Sequence, residues 1–141
     1  MTDNKTGTGV RCVIVTPEMT ILDTHSQSIT VPLFDGLRGI ARGHAPFIGR
    51  LGVGSVKIKG DSGESSHHTQ SVFVSGGFVE VGQNTVTIIT QRAIASEAID
   101  IKAARQELAE AQAIAAAGDE AISKRFESVA AARALIRSAT K

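Results

Sequence analysis

Aromatic residues are scarce in this sequence. Tryptophan and tyrosine are absent, and only five of the 141 residues are phenylalanine. Any hydrophobic core must therefore be built mainly from Val, Ile, Leu and Ala, and an apolar fraction of 42% supplies enough of them. The same scarcity disfavours a carbohydrate-binding sandwich, since such sites usually present aromatic platforms.

Cysteine, strong net charge and long apolar runs are also lacking. Cys12 is the single cysteine, so no internal disulfide can form, and its apolar neighbours in 12–15 predict a buried side chain. A formal net charge of +1 gives no reason to expect nucleic-acid binding. No run of about 18 apolar residues occurs, and the polar residues 1–9 lack the apolar stretch of a signal peptide. We therefore expect an intracellular protein that inserts into no membrane.

The composition changes near residue 95. Thirteen of the fourteen glycines, all three prolines and most β-branched residues precede that point, and an alanine-rich stretch follows it. This order predicts an α+β protein, with an N-terminal β-sandwich followed by a C-terminal antiparallel α-helical hairpin. The predicted organisation is a disordered N-terminus over 1–9, a β-sandwich domain over 10–95 and a helical hairpin domain over 96–141.

Short apolar runs bounded by turn residues mark the strands of the first part. Pro17 and Pro32 are expected to end the first two strands, and 59–63 is expected to be a turn. Strands so short and so evenly spaced are typical of a sandwich or barrel. The predicted strands are 11–16, 29–31, 53–59, a return strand ending at 74, and the hairpin pair 78–81 and 86–89.

Two helices joined by a two-residue break are predicted in the second part. Asp100 can cap the first helix by accepting free N–H groups, Gly118 can end it in the left-handed conformation, and Asp119 can cap the second helix. So short a break implies an antiparallel hairpin. Apolar residues recur at steps of three and four, in one stripe of Ile101, Ala104, Leu108, Ala111 and Ala115 and another of Ile122, Phe126, Val129 and Ile136.

The first of these stripes is mostly alanine. Alanine favours helix formation but buries little apolar area, which is worth roughly 25 cal/mol per Å². The hairpin must therefore pack against another protein surface, from which it could detach at a modest cost in free energy. Its last helix is also basic, and that charge is either a solvated face that suits the helix dipole or a docking face for an acidic partner.

Nothing in the sequence indicates a catalytic, nucleotide or metal site. Gly36-Leu37-Arg38-Gly39 is not followed by Gly-Lys-Ser/Thr, so turns and close backbone approaches account for the glycines. The histidines and the cysteine lack metal-ligand spacing, and no Gly-x-Ser-x-Gly segment supports a hydrolytic triad. His44 is expected to be hydrogen-bonded within a loop. We predict no catalytic residue, no cofactor and no metal.

Four segments resemble ATP synthase epsilon subunits, in the same order along the chain. The loop expected from Phe34 to Pro46 is the most specific, since it resembles the signature Gly-x-x-Gly-Ile-x-x-Gly-His-Ala-Pro. The likeness covers residues 10–138 and points to the bacterial type, which is homologous to the mitochondrial delta subunit. The four segments are Thr16-Pro17-Glu18, 35–47, 74–81 with its Ser-Gly-Gly-x-x-Glu-Val pattern, and Ile99-Asp100.

The resemblance implies a non-catalytic rotor subunit in the central stalk of a proton-translocating F-type ATP synthase. It implies that the sandwich binds the gamma subunit and the ring of c subunits, and that the hairpin can extend to the alpha/beta catalytic head and inhibit ATP hydrolysis. It implies a peripheral position at the cytoplasmic face of the bacterial inner membrane.

The resemblance also assigns roles to individual residues. The partner-binding residues are Gly36, Leu37, Arg38, Gly39, Arg42, Gly43, His44 and Pro46. The regulatory basic residues of the last helix are Lys124, Arg125, Arg133 and Arg137.

Three positions depart from the family's pattern. Leu37 stands where an acidic residue is common and Arg42 where proline is common, which changes the polarity expected of the c-ring contact. Ala103 stands where the family's nucleotide motif has arginine, so ATP binding by the hairpin is expected to be weak or absent. Two other classes of protein are compatible with a sandwich fold. One is a free-standing enzyme, for which the sequence shows no acid–base or metal site, and the other is the carbohydrate-binding sandwich, which the scarcity of aromatic residues disfavours.

Overall fold

The computed structural model describes residues 9–60 and 69–139. Within these ranges two five-stranded sheets are followed by two α-helices, so the predicted α+β fold, a β-sandwich followed by a helical hairpin, is confirmed. The predicted disordered N-terminus, 1–9, and the predicted turn, 59–63, lie mostly outside the described residues.

The two sheets are built from ten strands. The first sheet has the order β2-β1-β9-β8-β5 and the second the order β10-β7-β6-β3-β4. Among the described strands, β1 and β9 pair in parallel and the other pairs are antiparallel. The strands are β1 (Val10–Val15), β2 (Thr20–Ser26), β3 (Ser28–Leu33), β4 (Gly36–Ala41), β5 (Phe47–Arg50), β6 (Val53–Lys59), β7 (Thr69–Ser75), β8 (Phe78–Gly82), β9 (Thr85–Ile89) and β10 (Ala93–Ala95).

The core lies between the sheets because successive side chains of a strand point to opposite faces. Cys12 and Ile14 of β1 are fully buried there, as are Val56 and Ile58 of β6, as their alternation predicted. The predicted burial of Cys12 is confirmed. Strand β7 is buried on both faces: Val72 and Val74 belong to the sandwich core, whereas Phe73 between them belongs to a second cluster under the helices.

The prediction that Pro32 ends a strand is wrong. Strand β3 continues through Pro32 to Leu33 and keeps its pairing with β4 along that length. Its ladder with β6 ends at Thr30, so the missing N–H of Pro32 interrupts no pairing with β6. The prediction of one loop over 34–46 is also wrong, because β4 lies inside it and pairs along the whole of β3.

A 3-10 turn at Ser96–Ala98 leads from the sandwich to the hairpin, which consists of α1 (Ile101–Ala113) and α2 (Asp119–Ala139). Asp100 caps α1 as predicted, since its carboxylate accepts from the N–H groups of Lys102 and Ala103.

The predicted break between the helices is wrong in length. Helix α1 ends at Ala113, so residues 114–118 connect the helices and Ala115 lies outside α1. Asp119 is the first residue of α2, not its cap. Gly118 has the predicted left-handed conformation, with φ +90°, but its carbonyl oxygen starts α2 by accepting from the Ile122 N–H.

The predicted stripe on α2 is wrong in its first half, because Ile122 and Phe126 face away from the protein. The buried face consists mainly of small side chains, which let the helix approach α1 and the second sheet closely. Its buried residues are Ala132, Ala134, Leu135 and Ser138.

Candidate functional site

Residues 34–47, which we call the loop end, begin with a tight turn between two strands of the second sheet. Leu33 pairs with Gly36, so only Phe34 and Asp35 form the turn. Gly36 has φ +139°, a backbone conformation that residues other than glycine rarely adopt. The glycine expected at a turn is therefore required here by the backbone.

The second turn of the loop end, at residues 42–46, is tied to the neighbouring β8–β9 hairpin. The Gly43 N–H donates to Oδ1 of Asn84 over 2.7 Å, and Asn84 lies in the two-residue turn between β8 and β9. The His44 N–H donates to the Ala41 carbonyl, and its Nδ1 lies 2.7 Å from the Ala45 carbonyl oxygen. Since a carbonyl oxygen only accepts, Nδ1 carries the proton. The expectation of a hydrogen-bonded loop histidine is confirmed.

Phe47 organises the charged side chains of the loop end. The guanidinium of Arg38 lies over the Phe47 ring, 4.8 Å from its centroid, and the His44 ring packs against the same ring at 5.4 Å. A second pair forms nearby, with Arg50 over the ring of Phe34 at 5.8 Å. Cations held over aromatic faces keep a fixed position while their N–H groups stay available. Phe47 was not among the predicted site residues, although it directly follows the signature segment.

The structure separates the predicted partner-binding residues on β4. Arg38 packs towards Phe47 of the first sheet, whereas Leu37, next to it, points to the opposite face. Leu37 is 75% exposed and borders a cleft of about 160 Å³ whose other side is formed by Ala134, Arg137 and Ser138 of α2. Leu37 therefore faces the same cleft as the last helix. Gly36, Gly39 and Arg42 are exposed on the β4 edge and the following turn, and Pro46 lies just before β5.

The outer face of the first sheet carries an apolar row that the sequence analysis missed. Val15 pairs with Ile89, Ile89 with Phe78, and Phe78 with Arg50, so these side chains lie side by side across four strands. Ile89 is 53% and Phe78 is 57% exposed, and Ile48 of β5 adds an exposed neighbour. The doublet Ile88-Ile89 was the available signal, because adjacent strand residues face opposite sides and one of the two must point outwards.

The hairpin rests on the outer face of the second sheet around one buried aromatic residue. Phe73 contacts Ala104 of α1 and Ala134 and Leu135 of α2 in a cluster that is closed by Ile94, Ile99 and Ile136. The alanine-rich seam expected from the sequence is therefore present, and Phe73 supplies the bulk that the alanines lack.

Two polar contacts flank this seam. Arg92 donates through both terminal nitrogens to Glu107 of α1, at 3.1 and 3.2 Å, and its guanidinium lies 5.9 Å from the centroid of Phe73. Ser55 of β6 shares a 2.6 Å hydrogen bond with Ser138 of α2. Both side chains of the ion pair are 40% exposed, so solvent weakens the pair.

The four predicted regulatory residues occupy different environments. Arg125 donates to the carbonyl of Gln112 over 2.8 Å and so ties the start of α2 to the end of α1. Lys124, Arg133 and Arg137 are exposed, and Arg137 borders the cleft beside Leu37. Arg133 and Arg137 share one side of the helix. The side chain of Lys124 projects about 160° away from that of Phe126 around the helix axis.

The described residues contain no group of three or more His, Cys, Asp or Glu side chains that could hold a metal ion. Neither α1 nor α2 is long and apolar enough to cross a membrane. The chemistry of the described surface is that of protein contact: stacked cations, exposed apolar side chains and rigid turns.

Comparison with known proteins identifies relatives of the whole sandwich. Residues 9–96 match a family model described as the ATP synthase delta/epsilon chain, beta-sandwich domain. The ATP synthase epsilon chain of Rhodopirellula baltica is 43% identical over 102 residues, which are 72% of this chain and 76% of the relative. That of Symbiobacterium thermophilum is 37% identical over 101 residues, 71% of this chain and 69% of the relative.

A solved structure extends the likeness of fold to the hairpin. A chain in the cryo-EM structure of the Euglena gracilis mitochondrial ATP synthase, an assembly of OSCP, F1 and c-ring in rotational state 1, aligns with a TM-score of 0.80. The alignment covers 97% of this chain and 85% of that chain at 21% identity.

Proposed function

The chain belongs to the ATP synthase delta/epsilon family, and on that basis we propose that it is a non-catalytic rotor subunit in the central stalk of an F-type ATP synthase. The observation that carries this proposal is the 43% identity to a bacterial ATP synthase epsilon chain over 102 residues. A surface made for contact suits an accessory subunit, whose task is to join other subunits and pass rotation between them.

We propose that the loop end forms the seat on the c ring. Phe34, 68% exposed, and Leu37 offer apolar contact there, and Arg38 and Arg42 offer charge. The stacking of Arg38 on Phe47 and the anchoring of Gly43 by Asn84 hold this surface rigid before any partner binds. A preorganised surface loses little conformational entropy on binding and transmits force without rearranging.

We propose that gamma binds the apolar row on the outer face of the first sheet. A contiguous apolar surface on a folded domain marks a protein contact more often than scattered exposed residues do. Val15, Ile89 and Phe78 form such a row, and Arg50 at its end continues into the loop end. One partner could therefore contact both surfaces without a gap.

We propose that the hairpin regulates ATP hydrolysis by leaving the second sheet and reaching the alpha/beta catalytic head. In this division the β-sandwich domain, 10–95, binds the rotor partners and the helical hairpin domain, 96–141, is regulatory. The seam that holds the hairpin is small: it consists of Phe73 and Leu135, alanine side chains of the helices, one half-exposed ion pair and the Ser55–Ser138 hydrogen bond. Arg133 and Arg137 would be the principal contacts with acidic segments of the head, with Lys124 and Arg125 on the same helix. The subunit would work at the cytoplasmic face of the bacterial inner membrane, as a peripheral component.

Charge reversal at the loop end tests the seat on the c ring. We expect Arg38→Glu with Arg42→Glu to weaken association with the membrane sector and to lower proton-coupled ATP synthesis in membranes. The isolated variant should stay folded, because both residues are exposed. Arg105→Glu, an exposed reversal on α1, is the matched control. Unchanged coupling in the double variant would remove the loop end from the c-ring contact.

A further inference from the structure

Arg92 contacts both the second sheet and the hairpin. It directly precedes β10, and its carbonyl oxygen accepts from the Ser75 N–H of β7 over 3.2 Å. Both terminal nitrogens of its guanidinium donate to Glu107 of α1, and the guanidinium lies 5.9 Å from the centroid of the Phe73 ring. Arg92 therefore joins a strand, the buried aromatic residue of the seam and the first helix.

A buried threonine fixes the backbone from which the Arg92 side chain extends. The Thr90 hydroxyl donates to the Gly76 carbonyl over 2.7 Å and accepts from the Arg92 N–H over 3.5 Å. The Thr90 N–H donates to the Val15 carbonyl in the first sheet. Thr90 is only 2% exposed, so these hydrogen bonds are shielded from water. The crossover from β9 to β10 is thereby attached to β1 as well as to β7.

The turn between β7 and β8 packs against the same crossover. A Cβ at Gly77 would clash with the Ile89 carbonyl oxygen and lie 2.9 Å from Cα of Thr90, so this close approach requires glycine. Gly77 belongs to the Ser-Gly-Gly segment, for which the proposed function gives no role. Its contact with Thr90 supports the short segment that carries Arg92.

Helix α1 meets the sandwich through small side chains and Glu107. Ala104 and Ala111 are its buried residues, and Ala104 packs against Phe73. Glu107 lies three residues after Ala104 and four before Ala111, so all three share one face of the helix. Alanine side chains bury little area, whereas a guanidinium with two N–H bonds to one carboxylate fixes both distance and direction. The position of α1 on the sandwich therefore depends on Glu107.

We propose that Arg92 is a positioning residue of the hairpin, and that its contact with Glu107 sets how often α1 leaves the second sheet. This proposal rests on the proposed regulatory function and names a contact that controls it. Both side chains of the pair are 40% exposed, so dissolved ions reach the pair and screen it. The released fraction of the hairpin therefore rises with ionic strength.

A thiol placed in the seam reports the release of α1 in the full chain. Ala104 is 1% exposed, so Ala104→Cys should react with neutral iodoacetamide only when α1 leaves the sheet, and Cys12, with no exposed surface, does not compete. In this background Glu107→Arg should speed the reaction about two- to tenfold, because an attraction is replaced by a repulsion of similar size. Glu110→Arg, an exposed reversal on the same helix, is the matched control and should leave the rate unchanged.

A charge swap and added salt distinguish a positioning contact from a general loss of packing. Arg92→Glu with Glu107→Arg restores an ion pair and should return the rate to within about twofold of the reporter chain alone. Raising NaCl from about 0.05 M to about 1 M should speed the reaction when the native pair is present and slow it in Glu107→Arg, where salt screens a repulsion. A rate that Glu107→Arg leaves unchanged, a rate that the swap does not restore, or the same salt response in both chains would overturn the proposal.

ATP hydrolysis by the assembled complex separates this proposal from the proposed function. More frequent release of the hairpin should strengthen inhibition in Glu107→Arg, which is opposite in sign to the effect of deleting the last helix. If the reporter thiol reacts faster but hydrolysis is unchanged, Arg92 positions the hairpin and the proposed regulation is wrong. If the thiol reacts no faster, the positioning role is wrong whatever the rate of hydrolysis.

Discussion

At the scale of single residues, burial determines the chemistry of Cys12. Its side chain has no exposed surface within the sandwich core. Burial, helped by the nearby negative charge of Asp23, raises the pKa of the Cys12 thiol to about 12. The thiolate is the reactive form of cysteine, so the lack of solvent access and the suppressed ionisation both protect this residue.

We expect native Cys12 to resist thiol reagents up to pH 9, where a pKa of about 12 leaves about one thiolate per thousand. Unfolding in urea lowers the pKa to its ordinary value and exposes the side chain, so labelling should become fast. Timed alkylation with mass detection, with and without urea, measures the difference. Labelling of the folded protein at the rate of a free thiol would contradict the placement of Cys12.

The sequence predicted single residues well where one local rule governs them. Asp100 caps a helix by accepting from N–H groups two and three residues further along the chain. Cys12 is buried because buried and more exposed residues alternate along its strand. The stacking of Arg38 on Phe47 could not be predicted in this way, because it joins β4 and β5 of different sheets. The exposure of Phe126 could not be predicted either, because the periodicity of apolar residues identifies a stripe on a helix but does not show whether that stripe is buried.

At the scale of elements, strands in which apolar and polar residues alternate clearly were predicted. Strands whose order depends mainly on pairing with adjacent strands were missed. Strand β6 alternates through Val56 and Ile58, and its predicted bounds are confirmed. Strand β4 contains Gly36 and Gly39, which weaken a strand pattern, and it is ordered by pairing with β3. Strands β2, β5 and β10 were missed too. Strands β5 and β10 pair with β8 and β7, which a local window does not reveal, and β2 pairs with β1 at the sheet edge but its own sequence does not alternate clearly.

Phe73 is predicted to control how tightly the hairpin is held. Phe73→Ala removes the largest buried side chain of the seam and should cost about 3–5 kcal/mol of the contact, as for other buried phenylalanines. We expect faster amide exchange throughout α1 and α2 while the strands of the first sheet keep their protection. Phe34→Ala, which removes an exposed ring, is the matched control and should leave both unchanged. Equal loss of protection in hairpin and sandwich would mean that they unfold as one unit.

Removal of the last helix tests the hairpin as a brake. Deleting the residues after Gly118 should raise ATP hydrolysis of the assembled complex and leave assembly intact. A bias of about 1.4 kcal/mol in the position of the hairpin is a tenfold change in population, so a several-fold rise in activity is expected. Arg133→Ala with Arg137→Ala should give part of the rise. If the truncated complex hydrolyses ATP no faster than the complete one, the basic face is a solvated surface.

At the scale of the whole molecule, the contact surfaces point in different directions. The hairpin covers the outer face of the second sheet, the apolar row of Val15, Ile89 and Phe78 lies on the outer face of the first sheet, and the loop end closes the edge between them at β4 and β5. On the proposed function, gamma and the c ring would bind surfaces that do not overlap the hairpin. Leu37 of β4 borders the same cleft as Arg137 and Ser138 of α2, so a partner bound at the loop end would lie next to the hairpin.

Purification of the tagged chain from detergent-solubilised membranes tests the proposed place in the stalk most directly. We predict that the alpha, beta, gamma and c subunits elute with it in constant proportion, and that the complex hydrolyses ATP. Phe78→Asp with Ile89→Asp, which places two charges in the apolar row, should abolish that recovery while the variant itself remains soluble and folded. Recovery of the unmodified chain alone, or with proteins outside the ATP synthase, would contradict the account.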